Sequence, residues 1–245
     1  EATFLICNMR KQLLKFPILT GPLRAYYNKY FGEKEIYYLF KEFKKYKNKF
    51  IFYDVGANYG IFTFLFGRLS VFTISFDPIK ECIEYIKRGY IYKNILFVNK
   101  AVSDQENTLN INIPIEDNEK IFGKSSITNQ FDSSETRSIQ TVTLDHYFED
   151  IKKLNITKLF IKIDVEGSEY NVLNGGMNTL ASFDVLLLIE IEKRHNKNYM
   201  EIFNKLKSLN FQPFCFVNND LKLISDEDDV EAYMNINNNF IFKNY

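Results

Sequence analysis

Two carboxylates and two glycines in the first third of the chain have the spacing of a nucleotide-binding site. An apolar run contains Asp54 and is followed at once by Gly56 and Gly60, which permit a tight turn from a strand into a helix. The N–H groups that open a helix attract negative charge. Asp77 lies 77 − 56 = 21 residues after the first glycine, where α/β nucleotide folds hydrogen-bond the ribose hydroxyls. The alternative is that Asp77 caps the helix that follows Pro78.

The type of nucleotide follows from what this turn lacks. The chain has neither the GxxxxGK[ST] pattern of a phosphate-binding loop nor the GxGxxG pattern of a dinucleotide fold. Asn58 stands where a dinucleotide fold needs close backbone approach, and Asp54 would repel a pyrophosphate. A carboxylate at this place instead favours a cationic ligand, such as the sulfonium and ammonium groups of S-adenosylmethionine.

A second group of acidic residues follows two later apolar runs. Asp164 and Glu166 come after one run, Glu190 lies near the end of the next, and His195 follows shortly afterwards. Each is a candidate to orient an acceptor or to act as a general base. The alternatives are that Glu166 and Glu169 cap a helix and that His195 is an ordinary residue of a surface loop.

A metal is the other chemistry open to these carboxylates. Asp164 and Glu190 together offer hard oxygen ligands that suit Mg²⁺. The chain contains 2 histidines and no HExxH motif, which argues against a zinc site.

Alternating strands and helices place all of these residues at strand ends. The strands are predicted at 50–55, 71–76, 95–98, 159–165, 185–191, 211–217 and 240–243, and the helices at 61–69, 79–88, 168–180 and 199–209. This alternation predicts a doubly wound, Rossmann-like α/β fold of three layers, mostly parallel with an antiparallel last strand. Ligands in such folds bind beyond the carboxyl ends of the strands.

The rest of the chain divides into two additions to this unit. Residues 1–49 are predicted to form a helical N-terminal cap, for which a membrane-surface or substrate-facing element is the alternative. Residues 50–245 form the main domain with an insertion at 108–143, whose polar part we expect to cover the acceptor or to be a disordered loop. Its candidate acceptor-binding groups are Lys124, Ser125, Ser126, Asn129, Gln130 and Arg137.

Composition excludes several classes of protein. Lysine plus arginine equals aspartate plus glutamate, 31 each, which argues against nucleic acid as a partner. The 3 cysteines are far apart, which is typical of reduced thiols in a cytoplasmic protein. No uncharged apolar stretch of about 18 residues is present, so no membrane-spanning helix is predicted.

Two long motifs in order resemble one known family. "DVGANYGIFT" (54–63) is similar to the first motif of class I S-adenosylmethionine-dependent methyltransferases in the form found in the FkbM family, and "IKIDVEGSEYNVLNGG" (161–176) resembles that family's second signature. "NKAVSD" (99–104), "TVTLD" (141–145) and "LLLIEIE" (186–192) also match in order. The resemblance covers roughly residues 45–243.

The resemblance implies a cofactor and the residues that hold it. S-adenosylmethionine would lie with its methionine half against Asp54, Gly56, Asn58 and Gly60, its ribose on Asp77, its adenine beside Val102 and Ser103, and its methyl group near Asp164. Where the family often has glutamate before proline, this chain has Asp77, a carboxylate of shorter reach.

The resemblance also implies an activity. It is the O-methylation of a small-molecule or carbohydrate acceptor, often a sugar hydroxyl in a glycan or secondary metabolite. The alternatives are a non-sugar acceptor and a non-catalytic module that binds the cofactor as a partner subunit. The base stays open among Asp164, Glu166, Glu190 and His195.

Overall fold

Two helices precede the first strand. The structure, a computed structural model, describes residues 16–32, 34–196, 198–218 and 220–245. Helix α1 (Pro17–Phe31) and helix α2 (Lys34–Lys45) fall within the predicted N-terminal cap, of which residues 1–15 lie outside the described residues. Ile36, Leu39 and Phe43 recur at helical spacing and are buried, which fixes α2 against the sheet.

The main sheet has eight strands and is mostly parallel. Its order is β11-β10-β12-β9-β8-β1-β2-β3. The strands are β1 (Phe50–Val55), β2 (Phe72–Phe76), β3 (Ile95–Val98), β8 (Lys158–Ile163), β9 (Asp184–Glu190), β10 (Gln212–Val217), β11 (Asp220–Leu223) and β12 (Asn239–Lys243). β12 runs antiparallel to β9 and β10, and β11 antiparallel to β10, so two strands oppose the rest. The chain has the doubly wound α/β fold that its sequence predicts.

Helices cover both faces of this sheet. They are α3 (Ile61–Phe66), α4 (Lys80–Gly89), α5 (Phe148–Lys152), α6 (Glu169–Asn174), α7 (Met177–Ser182), α8 (Tyr199–Ser208) and α9 (Glu227–Met234). Alternate residues of β1 point to opposite faces: Phe50 and Phe52 pack with α2 and α3, whereas Ile51 and Tyr53 pack in the core that includes α6 to α9. Three layers result.

A second, smaller sheet lies between β3 and β8 in the sequence. Its order is β4-β7-β5-β6. The strands are β4 (Ala101–Val102), β5 (Thr108–Glu116), β6 (Glu119–Lys120) and β7 (Ser134–Val142). β5 and β7 form a long antiparallel pair, so the insertion is largely a hairpin. Its core is small and contains Ile111, Ile113 and Ile139.

Two local features differ from the sequence prediction. The single helix expected at 168–180 is divided into α6 and α7 at Gly175 and Gly176. A Cβ at Gly175 would lie 2.0 Å from the carbonyl oxygen of Ser103, so the chain passes too close there for any larger residue. β11 and α9 were not predicted, because β11 has 4 residues with little burial and α9 begins with acidic residues.

Candidate functional site

A glycine turn brings the ends of β1 and β8 into contact. Gly56 has φ +74°, and a Cβ there would lie 1.8 Å from the carbonyl oxygen of Asp164. Its N–H donates to the carbonyl of Phe76 at the end of β2. Its carbonyl accepts from Lys162 Nζ at 3.0 Å. The turn is therefore held from both neighbouring strands, and only glycine fits it.

The cleft beyond these strand ends has two halves. Gly56, Asn58 and Asp164 line both halves. The first half is completed by residues that include Asp77, Val102 and Glu166 and by Phe122, Ser125, Ile127 and Ser168. The second half is completed by residues that include Glu190, Lys162 and Tyr59 and by Arg24 and Asn28 of α1. Asp77, Asp164, Glu166 and Glu190 thus share one cleft, as expected at the carboxyl edge of a parallel sheet.

Asp77 is fixed by two backbone N–H groups. Its Oδ2 accepts from Asn58 N at 2.7 Å, and its Oδ1 accepts from Ile79 N at 2.8 Å. Burial raises the pKa of this carboxyl to about 7, although both hydrogen bonds act in the opposite direction. The Ile79 contact lies directly before α4, so the capping role exists beside any contact with a ligand. Each oxygen keeps a further lone pair.

Asp54 lies beneath the cleft rather than in its wall. It is fully buried, its Oδ2 accepts from Thr63 Oγ1 at 2.5 Å, and its Oδ1 has no hydrogen-bond partner. Burial raises the pKa of this carboxyl, while Lys162 on the adjacent strand acts to lower it. Asp54 therefore acts on the cleft through its neighbours and not by direct contact.

Lys162 is a functional residue that the sequence analysis missed. Its Nζ lies 2.9 Å from Asp164 Oδ2, and the side chain is buried. Burial alone would lower the pKa of this ammonium, but the charges of Asp164, Asp54 and Glu190 outweigh that effect and raise it. Lys162 lies on β8 and Asp164 directly follows that strand two positions later, so the period of two places both side chains on one face. That spacing was the available signal.

Glu166 and His195 form a close pair at the edge of the cleft. His195 Nδ1 lies 2.7 Å from Glu166 Oε2 and 3.7 Å from Glu192 Oε2. Arg194 donates to Glu192 from Nε. Burial, followed by the charges of Asp164 and Glu192, raises the pKa of Glu166 to about 7. Burial and Arg194 lower the pKa of His195, so its imidazole is neutral at pH 7.

The loop between β6 and β7 holds the backbone of Glu166. This residue has φ +54°, a conformation that side chains rarely adopt. Its carbonyl accepts from Ser126 Oγ at 2.6 Å and from Asn129 Nδ2 at 3.2 Å. Two of the insertion's candidate acceptor-binding residues are thus used to position Glu166. Lys124 forms an ion pair with Glu116. Arg137 forms ion pairs with Glu81 and Glu135.

The remaining predicted residues occupy different places. Val102 lines the first half of the cleft, whereas Ser103 is buried and donates to Asp104. Gly60 has φ +78° at the start of α3 and faces Ile86 rather than the cleft. Glu169 accepts from Gly167 N at 3.1 Å and is the acidic residue in the first turn of α6, a helix without a side-chain cap hydrogen bond.

Two sets of residues could hold a metal ion. Glu166, Glu192 and His195 offer ligand atoms that all lie within 4.8 Å of one another, the one such group of three among the described ranges. The predicted Mg²⁺ pair, Asp164 and Glu190, instead faces the ammonium of Lys162. Because that ammonium already neutralises the pair, a divalent ion there would have to displace a buried cation. Magnesium stays a prediction.

A glycine turn, a carboxylate after β2 and an acidic cleft on a doubly wound sheet define a nucleotide-type α/β binding fold. A family model described as the methyltransferase FkbM domain matches residues 54–213. The chain therefore belongs to the FkbM methyltransferase family, as its two motifs predict. No curated protein sequence gave a significant match.

Several solved structures of methyltransferases are similar to this chain at low identity. The FkbM methyltransferase from Methylobacillus flagellatus is 15% identical with a TM-score of 0.47, and the match covers 98% of this chain and 60% of that one. An rRNA methylase from Streptococcus thermophilus is 12% identical, TM-score 0.44, over 86% and 95% of the two chains. A SAM-dependent O-methyltransferase from Thermotoga maritima is 9% identical, TM-score 0.40, over 85% and 63%.

Proposed function

We propose that this methyltransferase uses S-adenosylmethionine to methylate a hydroxyl oxygen, and that the acceptor is a sugar hydroxyl in a glycan or secondary metabolite. The observation that carries the proposal is Glu166, which lines the first half of the cleft and lies 2.7 Å from His195 Nδ1 through its Oε2. A carboxylate whose pKa is about 7 is matched to proton removal near neutral pH.

The carboxylates and unpaired hydroxyls of the cleft are the observations that support S-adenosylmethionine as its ligand. Asp164 and Glu190 in the second half would face the cationic end of the cofactor, while Asp77 in the first half would accept from its ribose hydroxyls. Ser125 Oγ and Ser168 Oγ are buried in the first half and have no hydrogen-bond partner in the described structure. Buried unpaired hydroxyls in a cleft wall are satisfied when a polar ligand occupies it.

The reaction asks little covalent chemistry of the protein. When bound, S-adenosylmethionine would supply an electrophilic methyl group, so the chain needs to orient an acceptor and take up its proton. His195 Nδ1 lies 2.7 Å from Glu166 Oε2 and would orient this carboxylate, so that its second oxygen takes up the proton of the acceptor O–H. Of the four candidate bases, Glu166 thus combines a place in the cleft with a suitable pKa, and His195 positions it.

Two observations support the wider assignment. Within the described residues, no helix is long and apolar enough to cross a bilayer. Cys82 and Cys215 are both free and buried, which agrees with a reducing compartment such as the cytoplasm. We keep the cytoplasm as the proposed location and a small molecule or carbohydrate, rather than nucleic acid, as the proposed acceptor.

The test is methyl transfer from labelled S-adenosylmethionine to a panel of acceptors. The panel contains free and nucleotide-linked sugars, phenols, amines and RNA, and labelled product is separated by chromatography. Label in a sugar hydroxyl that disappears with Glu166→Gln would support the proposal. Label in an amine or in RNA would overturn it. Cofactor binding without transfer to any acceptor would instead favour a non-catalytic module.

A further inference from the structure

Helix α1 is inverted: its small and polar side chains face the protein, and its large apolar ones face away. The residues buried against α3 and α4 are Pro17, Thr20, Gly21, Ala25 and Lys29. Gly21 is in such close contact that a Cβ there would lie 2.3 Å from the ring of Phe64. An ordinary surface helix has the opposite arrangement.

The outward side of α1 is a continuous apolar surface, which we call the α1 apolar face. It consists of Leu19, Leu23, Tyr26, Tyr27, Tyr30 and Phe31, each between 47% and 72% exposed. At 100° per residue these positions fall on one side of the helix. Ring contacts at 4.7 Å between Tyr26 and Tyr30 and at 5.9 Å between Tyr30 and Tyr37 extend the face to α2. Contiguous exposed apolar surface of this kind marks an interaction site.

Positive charge surrounds the α1 apolar face. At one end Arg88 lines a crevice with Phe16 and Leu19, and at the other Lys34 and Lys41 line a crevice with Tyr30. Residues 16–49 contain 8 lysines and arginines and 3 acidic residues, a net charge of 8 − 3 = +5 in a chain whose total is 0. Helix α1 itself contains no acidic residue.

We propose that the α1 apolar face binds the surface of an anionic lipid bilayer. Interfacial helices combine a face of Leu, Phe and aromatic residues with flanking lysines and arginines, and tyrosine is enriched at the headgroup level. The basic flanks are complementary to anionic headgroups, which attract such segments. A second copy of this chain would instead bring two segments of net positive charge together. The charge therefore favours lipid over self-association.

Lipid binding would have a consequence for the cleft. Arg24 and Asn28 lie on the side of α1 that lines the second half of the cleft. The bilayer would therefore be close to the cleft, and acceptors held at a membrane surface would reach it. The binding of α1 to lipid does not depend on the proposed function.

The test is sedimentation of the full chain with vesicles. We compare vesicles of phosphatidylcholine alone with an equal mixture of phosphatidylcholine and phosphatidylglycerol, at low and high salt. The wild type is expected to bind the anionic vesicles at least about tenfold more tightly than those of phosphatidylcholine alone, and this binding is expected to weaken at high salt. Leu23→Glu combined with Tyr27→Glu should weaken that binding on the order of 100-fold.

The matched control places the same charges on other exposed apolar residues. Leu154→Glu combined with Met177→Glu should leave vesicle binding unchanged, because these residues are 38% and 36% exposed beside α5 and within α7, which pack in a different core from α1. Circular dichroism and binding of S-adenosylhomocysteine establish that each variant is folded, and the latter reports separately on the proposed function. Equal binding of the α1 variant and the wild type would overturn the proposal. The proposal would also be overturned if the wild type did not bind vesicles and instead formed a dimer, detected by light scattering, that the α1 variant abolishes.

Discussion

Burial raises the pKa of both Asp77 and Glu166, two carboxyls of one cleft, to about 7, but their neighbours differ. Asp77 has no cation in direct contact and is held by two backbone N–H groups. Glu166 has His195 at 2.7 Å and charged neighbours, Glu192 and Arg194, that shift its pKa in opposite directions. Substitution can therefore separate the role of a binding carboxylate from that of a base.

We expect the protonation of the general base to determine the pH dependence of kcat. Activity should fall as the pH drops below about 7, because Glu166 becomes protonated. Glu166→Gln should lower kcat by about 10²- to 10⁴-fold at high pH and remove this dependence, with cofactor affinity nearly unchanged. The measurement is the pH profile of initial rates.

The neighbours of Glu166 provide paired controls. Glu192→Gln removes a negative charge and should move the midpoint to lower pH, whereas Arg194→Gln removes a positive charge and should move it to higher pH. His195→Gln should also alter the profile if it positions Glu166. If none of these substitutions shifted the midpoint of the pH profile, Glu166 would not be the titrating base.

Asp77 should determine cofactor affinity. Asp77→Ala removes the carboxylate proposed to hold the ribose, and loss of charged hydrogen bonds should weaken S-adenosylhomocysteine binding by roughly 10- to 150-fold. Asp77→Asn keeps one acceptor for the backbone and should fall between that variant and the wild type. Calorimetric titration measures both, with Asp150→Ala, an exposed carboxylate, as control. Unchanged affinity in folded Asp77→Ala would contradict the ribose assignment.

At the scale of elements, Asp145 fixes the helix that begins after Gly176. Its Oδ1 accepts from Thr179 N and Thr179 Oγ1, and its Oδ2 accepts from Asn178 N. It thus caps α7 from a distant point in the sequence. The short loop before α7 has no capping side chain of its own.

Removal of this cap should affect stability more than chemistry. Asp145→Ala should lower the free energy of unfolding by about 1–2 kcal/mol, because three donors at the start of α7 lose their acceptor. Urea denaturation followed by circular dichroism measures the change. Asp150→Ala removes an exposed carboxylate nearby in sequence and should change stability by less than about 0.5 kcal/mol. Equal effects of the two substitutions would contradict the capping role.

The elements that local pattern determines were predictable, and those that depend on distant contacts were not. β9 is a nearly continuous aliphatic run and the turn at Gly56 follows directly from glycine spacing, so both could be located from the sequence. The break at Gly175 depends on contact with Ser103, which lies 72 residues away (175 − 103 = 72). The pairing of Glu166 with His195 is equally non-local, and no short motif contains it.

For the whole molecule, the central question is how α1 docks on the α/β unit. Its buried face is made of small residues, so backbone lies close to Phe64 and Tyr85, and Thr20 Oγ1 is 2.8 Å from the Tyr85 hydroxyl. The large residues contribute little to this docking because they face outward. Stability should therefore depend on the small residues and not on the large ones.

Two alanine substitutions test this arrangement. Gly21→Ala should destabilise by about 1–3 kcal/mol through overpacking against Phe64, although helix propensity alone would favour alanine by about 1 kcal/mol. Leu23→Ala on the exposed side should change stability by less than about 0.5 kcal/mol. Thermal unfolding compares them. The reverse order of effects would mean that α1 docks by its apolar face.

The methyl-donor site is tested most directly by calorimetric titration of the wild-type chain with S-adenosylhomocysteine, with NAD as the control ligand. We expect saturable binding of S-adenosylhomocysteine at one site and no binding of NAD. In Asp77→Ala, the binding of S-adenosylhomocysteine should be lost or greatly weakened. Binding of NAD alone, or of neither ligand to the folded chain, would contradict the assignment of the acidic cleft as a methyl-donor site.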